Sequence, residues 1–213
     1  MKLYIAQATC SLAAQAIANE IGLTPELVHF DVFGKSTSDG SAFADVNPLL
    51  YVPALVMDDA EQGVLSETVI VTSYMADQHP EAGLIPQRGT WERVRMDELL
   101  TFIATEIAQK HIPLMRKLMT AEGIEFHTNK LLSAYGRLDD MLSDGRAYLT
   151  GEHFTVADAY AWATLWNERS GVNLDHLTYF KAYIARIEAR PSVQKALKDE
   201  AEVVAQHKQR LAA

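Results

Sequence analysis

The chain has 213 residues, of which 48% are hydrophobic and 22% are charged, proportions typical of a soluble globular protein with one or two domains. Its formal net charge of −9 argues against nucleic acid and against an anionic membrane surface as partners, because the charge would repel both. The single cysteine, Cys10, excludes a disulfide within the chain and fits a reducing cytoplasm.

Strand and helix patterns alternate in the first third of the sequence. The apolar run Lys2–Ala6 predicts a strand, and the periodic apolar residues of Leu12–Ile21 predict a helix closed by Gly22. Alternation over Val28–Val32 predicts a second strand before the polar loop 34–40. Because polar side chains interrupt the apolar residues at the start, we interpret this segment as β-α-β rather than as a secretory leader or a membrane span.

A second group of elements follows in the order β-β-α. Pro53–Met57 and Gly63–Leu65 predict a hairpin, and a helix opens at Ser66 or Glu67. The two groups together predict a small α/β domain over residues 1–82.

From residue 90 onward the pattern is helical. The first predicted helix is a long segment that contains the periodic residues of Trp91–Ile107 and kinks near its end at Pro113. The others are Leu131–Leu142, Ala157–Trp166, Tyr179–Ile187 and a final charged segment capped by Ser192. A linker near Leu84–Gly89 joins the first domain to an all-helical domain predicted over residues 90–213. The predicted fold class is therefore α/β plus all-α.

Cys10 lies where the first strand gives way to the first helix. The unpaired N–H groups at a helix start stabilise an anion, so the Cys10 thiol would ionise more readily there, or the thiolate of a ligand could bind at the same place. Taken alone, an inert buried cysteine is the better interpretation, and Ser11 is an N-cap.

Two further segments have the residues that a peptide-like ligand needs. A cis bond between Val52 and Pro53 would turn the Val52 main chain outward as an open edge, although the sequence alone favours a trans proline. The segment Ser66–Thr68 places a carboxylate and a hydroxyl at a helix start, which suits an α-amino acid head group, although ordinary capping is preferred when the segment is taken alone.

Other polar segments are interpreted structurally. Thr155–Asp158 predicts a capping box that begins a buried helix. The seven histidines have no metal-ligand spacing with Cys10, so no metal site is predicted.

In this order and spacing, segments along essentially the whole chain resemble bacterial beta-class glutathione S-transferases. The segments are Cys10–Ala13, Asn47–Pro48, Val52–Leu55, Ser66–Thr68, Ile103–Glu106 and Leu149–Tyr160. The resemblance implies a thioredoxin-like domain over 1–82, a helical domain over 90–213 that forms the electrophile-binding side, and a homodimer with its sites near the interface.

The resemblance also implies roles for individual residues. Cys10 contacts the glutathione sulfur and can form a mixed disulfide with it, and Ser11 shares that contact. Val52, before a cis Pro53, pairs its main chain with the cysteinyl unit, and Tyr51 belongs to the same binding segment.

The two ends of glutathione are assigned in the same way. Glu67 and Thr68 bind the γ-glutamyl end, and Lys35 meets the glycyl carboxylate. Glu106 reaches the γ-glutamyl ammonium of the neighbouring subunit.

The sequence departs from the family pattern at three places. Ala108 stands where the beta class usually has a histidine, Thr101 stands where an asparagine is frequent, and Ile5 stands where many relatives have tyrosine. These changes remove groups that could polarise the thiolate or the electrophile.

Three functions are compatible with these residues. The leading interpretation is an enzyme that conjugates glutathione to small hydrophobic electrophiles, with no cofactor beyond glutathione as cosubstrate. The second is mixed-disulfide redox chemistry through Cys10, and the third is a non-catalytic glutathione-binding or scaffold protein, because one fold hosts many activities.

Overall fold

The computed structural model describes residues 1–59, 61 and 63–212, and the chain divides into two units. The first unit contains residues 1–82 and 189–213, and the second contains residues 83–188. The helices are α1 Ser11–Glu20, α2 Phe43–Val46, α3 Thr68–Asp77, α4 Trp91–Phe102, α5 Gln109–Arg116, α6 Ala121–Leu142, α7 Val156–Ala163, α8 Asn167–Ser170, α9 Thr178–Glu188 and α10 Pro191–Ala212. No helix among the described residues is long and apolar enough to cross a membrane.

A four-stranded sheet organises the first unit. Its strands are β1 Lys2–Ile5, β2 Glu26–His29, β3 Ala54–Val56 and β4 Val64–Ser66, in the spatial order β2-β1-β3-β4. β1 is parallel to β2, whereas β3 is antiparallel to both β1 and β4. The predicted β-α-β and β-β-α groups are therefore confirmed and share one sheet.

The second strand begins and ends earlier than the sequence predicted. β2 pairs with β1 from Glu26 to His29, and the chain leaves the sheet after Phe30. A carboxylate oxygen of Asp31 accepts a hydrogen bond from the Phe33 N–H at 3.0 Å, which turns the chain away from the sheet. Val32 consequently lies in the loop and is exposed rather than in a strand.

α1 is the central helix of the first unit. Its four alanines and Ile17 are buried, and their size allows α1 to pack against both α3 and α10. The other face of the sheet is covered in part by α2, where Phe43 stacks on Tyr4 at a ring distance of 5.1 Å. The sequence analysis did not predict α2, because four residues carry too little helical periodicity.

The last helix differs from the predicted domain range of 90–213. Residues 189–213 belong to the first unit, where α10 packs on α1 and β2. The Asn19 side-chain amide donates to the Ser192 carbonyl at 3.0 Å, and Arg190 makes a bidentate ion pair with Glu20. Because α10 follows the helical domain in the sequence, it was predicted to pack within that domain. Instead, its apolar face is buried on α1.

The first long helical segment of the second unit is interrupted. A π-helical turn, Ile103–Ala108, separates α4 from α5, and Pro113 lies inside α5. The hydroxyls of Thr101 and Thr105 donate to the carbonyls four residues earlier. Such π-turns occur mostly inside α-helices and are frequent at functional sites. The sequence predicted one continuous helix here, because apolar periodicity does not distinguish a single π-turn.

The predicted capping box at the start of α7 is present and extends into a buried network. The fully buried Asp158 carboxylate accepts from the Thr155 N–H and hydroxyl at 2.8 Å and from the Leu149 N–H and the Tyr183 hydroxyl at 2.9 Å. Burial raises the pKa of Asp158, and these four donors oppose that change. One side chain thus holds α7, α9 and the preceding loop together.

We expect Asp158→Ala to lower the free energy of unfolding by at least about 3 kcal/mol, because it leaves several buried donors without an acceptor. Urea denaturation followed by circular dichroism measures this change. The control is Asp140→Ala at an exposed position of α6, which should change the free energy by less than about 0.5 kcal/mol. Equal effects of the two substitutions would contradict the assigned role of Asp158.

Candidate functional site

Cys10 lies at the turn from β1 into α1, as the sequence predicted, but Cys10 itself occupies the N-cap position that the sequence assigned to Ser11. It is half-buried, and its thiol donates to the Val52 carbonyl oxygen at 3.3 Å. The Thr68 hydroxyl and the Glu67 carboxylate both act on the Cys10 thiol: the hydroxyl lowers its pKa as a donor, and the carboxylate raises it through its charge. The structure therefore brings Cys10, Val52, Glu67 and Thr68 together around one sulfur atom.

The expectation that the start of α1 makes Cys10 more acidic is wrong for this chain. Burial raises the pKa of the Cys10 thiol and is the largest effect, while the Thr68 hydroxyl and the Cys10 main chain lower it. The negative charge of Glu67 raises the pKa further. Cys10 is consequently a protonated hydrogen-bond donor at neutral pH.

The segment before β3 presents main-chain groups next to Cys10. The Val52–Pro53 peptide bond is cis, although the sequence alone favoured trans. The Val52 carbonyl accepts from Cys10, whereas the Val52 N–H has no partner among the residues that the structure describes. A peptide-like ligand can pair with such an N–H as an added strand would.

Asn47 shapes this segment, and the sequence analysis gave it no role of its own. Its buried side chain accepts from the Leu49 N–H at 3.2 Å and donates to the Tyr51 carbonyl at 2.9 Å. An asparagine directly before Pro48 is a turn signal that could have indicated this role.

The start of α3 is the third part of the site. Glu67 is exposed and occupies the N-cap position with φ 70° and ψ 125°, and its side chain does not cap the helix. This main-chain conformation is rare for a residue other than glycine and costs on the order of 1–3 kcal/mol. Thr68 is buried behind it. The free N–H groups of the first turn are suited to a carboxylate, and the Glu67 side chain is suited to an ammonium group.

Ser11 points away from this cluster. Its buried hydroxyl lies 2.8 Å from the Thr9 hydroxyl and accepts from the Ala6 N–H at 3.2 Å. On α10, the Glu200 carboxylate accepts from the Ala8 N–H at 2.9 Å. Burial raises the pKa of Glu200. These contacts shape the turn that leads into α1, and no local pattern could have indicated Glu200, which lies 192 residues from Ala8.

Lys35 and Tyr51 lie in exposed loops of the first unit. Lys35 has a φ of 57°, and its ammonium lies 5.8 Å from the centre of the Phe30 ring. The exposed fraction of Tyr51 is 61%. Neither residue bonds to Cys10 in the part of the chain that the structure describes.

Glu106 belongs to the second unit and lies in the π-helical turn. Its carboxylate is 4.0 Å from the Lys110 ammonium, and both side chains are partly exposed. Ala108, at the end of the turn, is buried.

Three comparisons with known proteins agree on the family. A family model described as "Glutathione S-transferase, C-terminal domain" matches residues 121–167. The glutathione S-transferase GstA of Escherichia coli O157:H7 is 33% identical over 201 residues, which cover 94% of this chain and 98% of that protein. The chain belongs to the glutathione S-transferase family.

Solved structures of this family show the same fold. A sphingomonad glutathione S-transferase in complex with glutathione is 33% identical, with a TM-score of 0.87 over 94% of this chain and 99% of its own. A beta-class glutathione S-transferase from Sphingomonas chungbukensis is 35% identical, with a TM-score of 0.86 over 94% and 98% of the two chains. The predicted fold of a thioredoxin-like domain and a helical domain is confirmed.

Within this glutathione S-transferase, His111 does not replace the histidine that is lacking at position 108. His111 is fully buried, and its ring nitrogens lie 2.8 Å from the Tyr135 and Ser170 hydroxyls. Burial lowers the pKa of His111 to about 4, with a further contribution from Arg169. His111 is therefore a neutral internal residue that joins α5, α6 and α8.

A cavity of about 770 Å³ lies within the second unit of this glutathione S-transferase. Met96, Leu99 and Phe102 contribute apolar lining, and Arg95 and Arg146 at its edge are paired with Glu98 and Asp144. None of the predicted site residues is among its described lining residues. No group of three or more potential metal ligands occurs among the described residues.

We expect the alkylation rate of Cys10, the only thiol of the chain, to follow an apparent pKa above that of a free cysteine. Thr68→Val should raise this pKa further by removing a hydrogen bond, and Glu67→Gln should lower it by removing a negative charge. Iodoacetamide reaction rates between pH 6 and 10 measure it. Glu26→Gln, at an exposed position of β2, is the control and should leave it unchanged; a wild-type pKa below that of free cysteine would contradict the assignment.

Proposed function

We propose that this chain binds glutathione in its first unit and conjugates it, through its sulfur, to small hydrophobic electrophiles. The observation that carries the proposal is the convergence of Cys10, the Val52 main chain and the start of α3 on one thiol position. Relatives that are named glutathione S-transferases align with almost the whole chain, and they favour an enzyme over a non-catalytic binding protein.

Each part of glutathione has a chemically suited partner in this proposal. The γ-glutamyl carboxylate binds the N–H groups and the Thr68 hydroxyl at the start of α3, and the γ-glutamyl ammonium binds Glu67. The cysteinyl N–H and carbonyl pair with the Val52 main chain, and Tyr51 flanks this segment. The glycyl carboxylate meets the Lys35 ammonium, which has no ion pair among the described residues.

Cys10 acts in this proposal as a donor to the glutathione sulfur. Because burial keeps Cys10 protonated at neutral pH, its S–H can donate to a glutathione thiolate once that thiolate replaces the Val52 carbonyl as acceptor. The donor stabilises the thiolate relative to the thiol, which raises the fraction of the nucleophile at neutral pH. A stabilisation of about 1.4 kcal/mol lowers the pKa of the glutathione thiol by one unit. Ser11 contributes indirectly, by holding the turn before Cys10.

The raised pKa of Cys10 also makes redox chemistry less favoured than conjugation as the function of this site. A mixed disulfide requires the Cys10 thiolate to attack a disulfide sulfur and expel the other sulfur as a thiolate. The raised pKa leaves little Cys10 thiolate at neutral pH, so conjugation is favoured.

We expect Cys10→Ala to lower kcat/KM for conjugation of a chlorinated nitroaromatic about tenfold at pH 6.5 and to raise the apparent pKa of that rate by about one unit. Cys10→Ser keeps a donor and should remain within about threefold of wild type. Reduction of hydroxyethyl disulfide should be lost in both variants, since neither has a thiol.

The outcomes distinguish the three functions. Conjugation that falls equally in Cys10→Ser and Cys10→Ala contradicts the donor role. Disulfide reduction faster than conjugation favours the redox function. Failure to bind immobilised glutathione, or binding without turnover of either substrate, contradicts the transferase.

We also propose that the protein is a cytoplasmic homodimer with a role in detoxification, in which Glu106 reaches the γ-glutamyl ammonium bound by the neighbouring subunit. Large exposed apolar side chains support the dimer: Trp91 and Val94 lie three residues apart on one face of α4, and Ile70 is exposed separately on α3 of the first unit. Ile70 is 51% exposed on α3, and Trp91 and Val94 are 66% and 50% exposed on α4. The electrophile contacts are assigned to the second unit.

Val94→Glu should convert the dimer to monomer at micromolar concentration, because it places a charge in an apolar interface. Sedimentation velocity measures the change. Leu118→Glu, at a position that is 85% exposed, is the matched control and should leave the dimer intact. A wild-type protein that sediments as a monomer would contradict the proposal.

A further inference from the structure

Two buried histidines face each other in the first unit, outside the cluster around Cys10. His29 is the last residue of β2 and His207 lies on α10, with exposed fractions of 5% and 3%. Their Nδ1 atoms are 2.9 Å apart, and the rings meet edge to face at a centre distance of 5.0 Å. At this distance one proton lies between the two nitrogens, so one imidazole donates and the other accepts.

The pair is connected to the loop 31–38. His207 Nε2 lies 3.4 Å from the Ser36 hydroxyl, so the imidazole of α10 contacts both the end of β2 and the loop. The main-chain N–H of His29 donates to the Ser38 hydroxyl at 2.9 Å, and the main-chain N–H of Ser38 donates to the His29 carbonyl at 2.8 Å. Lys35 directly precedes Ser36, and its N–H donates to the Asp31 carbonyl at 2.8 Å.

We propose that His29 and His207 are positioning residues for glutathione: their hydrogen bond holds the loop 31–38 against α10 and thereby fixes Lys35 for the glycyl carboxylate. This inference rests on the proposed function, because it requires glutathione to be bound through Lys35. Neither histidine touches the reacting sulfur, so the pair acts on the affinity for glutathione and not on the transfer step.

The pair also makes that affinity dependent on pH. A first added proton can go to the unprotonated Nε2 of the donating imidazole and leaves the bond intact, whereas a second would put a proton on each Nδ1 and place two N–H groups face to face, which the 2.9 Å separation cannot accommodate. The charged groups that act on His29 are Asp31, which favours its protonation, and Lys208 on α10, which opposes it together with His207. Burial is the largest effect and lowers the pKa of His29. The closed loop is thus favoured above the ordinary histidine pKa of about 6.5 and is lost progressively as the pH falls below it.

The test compares two substitutions at one position. His207→Leu removes both contacts and should weaken glutathione binding about three- to tenfold at pH 7.5, as expected for lost hydrogen bonds, with kcat at saturating glutathione unchanged. His207→Asn places an amide near the position of Nδ1 without a titratable group. It keeps a partner for His29 and loses only the longer 3.4 Å contact with Ser36, so it should bind within about twofold of wild type at pH 7.5 and lose the decrease in affinity that wild type shows between pH 7.5 and 5.5.

Isothermal titration calorimetry measures the affinities, and titration of glutathione itself is common to all variants. His207→Leu should add little to Lys35→Ala, since both act through the same contact. Ser36→Ala tests the loop contact without a change in α10, and His176→Asn, at an exposed position of the second unit, is the control. Hydrogen exchange of the 31–38 amides, without glutathione, should become faster at pH 5.5 in wild type but not in His207→Asn.

The outcomes separate this inference from the proposed function. If wild type does not bind glutathione at pH 7.5, the proposed function is wrong, and the positioning role fails with it. If wild type binds glutathione but His207→Leu and Ser36→Ala bind it equally well, or if His207→Asn keeps the full pH dependence, only the positioning role is wrong.

Discussion

The candidate site depends on the burial of α1, the helix that carries Cys10 at its start. Four alanines allow α3 and α10 to approach α1 closely, so the helix has little freedom to shift. Burial also encloses the polar side chain of Gln15 on α1, whose amide donates to the Glu200 carboxylate of α10 at 3.4 Å. The C-terminal helix is therefore needed to complete the unit that contains Cys10, although it follows the helical unit in the sequence.

The same packing determines the chemistry of the thiol. A helix start in water would favour the thiolate, but desolvation at Cys10 outweighs that effect and raises its pKa. The Val52 carbonyl accepts a hydrogen bond from the thiol, and the Thr68 hydroxyl partly offsets the rise in pKa that burial causes. A half-buried, protonated cysteine of this kind is a better donor to another sulfur than a nucleophile. This is why the proposed mechanism assigns the nucleophilic sulfur to glutathione.

Much of the fold follows from short-range patterns. The starts of α1, α3 and α7 were predicted to within two residues from capping residues and apolar periodicity, because helix termini are determined by neighbouring residues, whereas α7 ends at Ala163 rather than at the predicted Trp166. The π-turn between α4 and α5 was not predicted, since its buried residues Ile103 and Ile107 are four positions apart, a spacing that an ordinary α-helix also produces. The second strand was predicted too late in the sequence, over Val28–Val32, whereas β2 covers Glu26–His29. Its bounds depend on pairing with β1, and Val32 fits the alternation without joining the sheet.

The sequence by itself determined the order of the elements, the residue types at the candidate site and the family that they resemble, because these are encoded by local spacing and chemistry. Only the tertiary structure decided the direction of the Cys10 pKa, the packing of α10 on α1 and the contact between His29 and His207, which are 178 residues apart. Each of these depends on which surfaces meet and exclude water, and a local pattern does not specify that. Cys10 is thus predicted as a site residue by its sequence context, and its role as a donor is a consequence of packing.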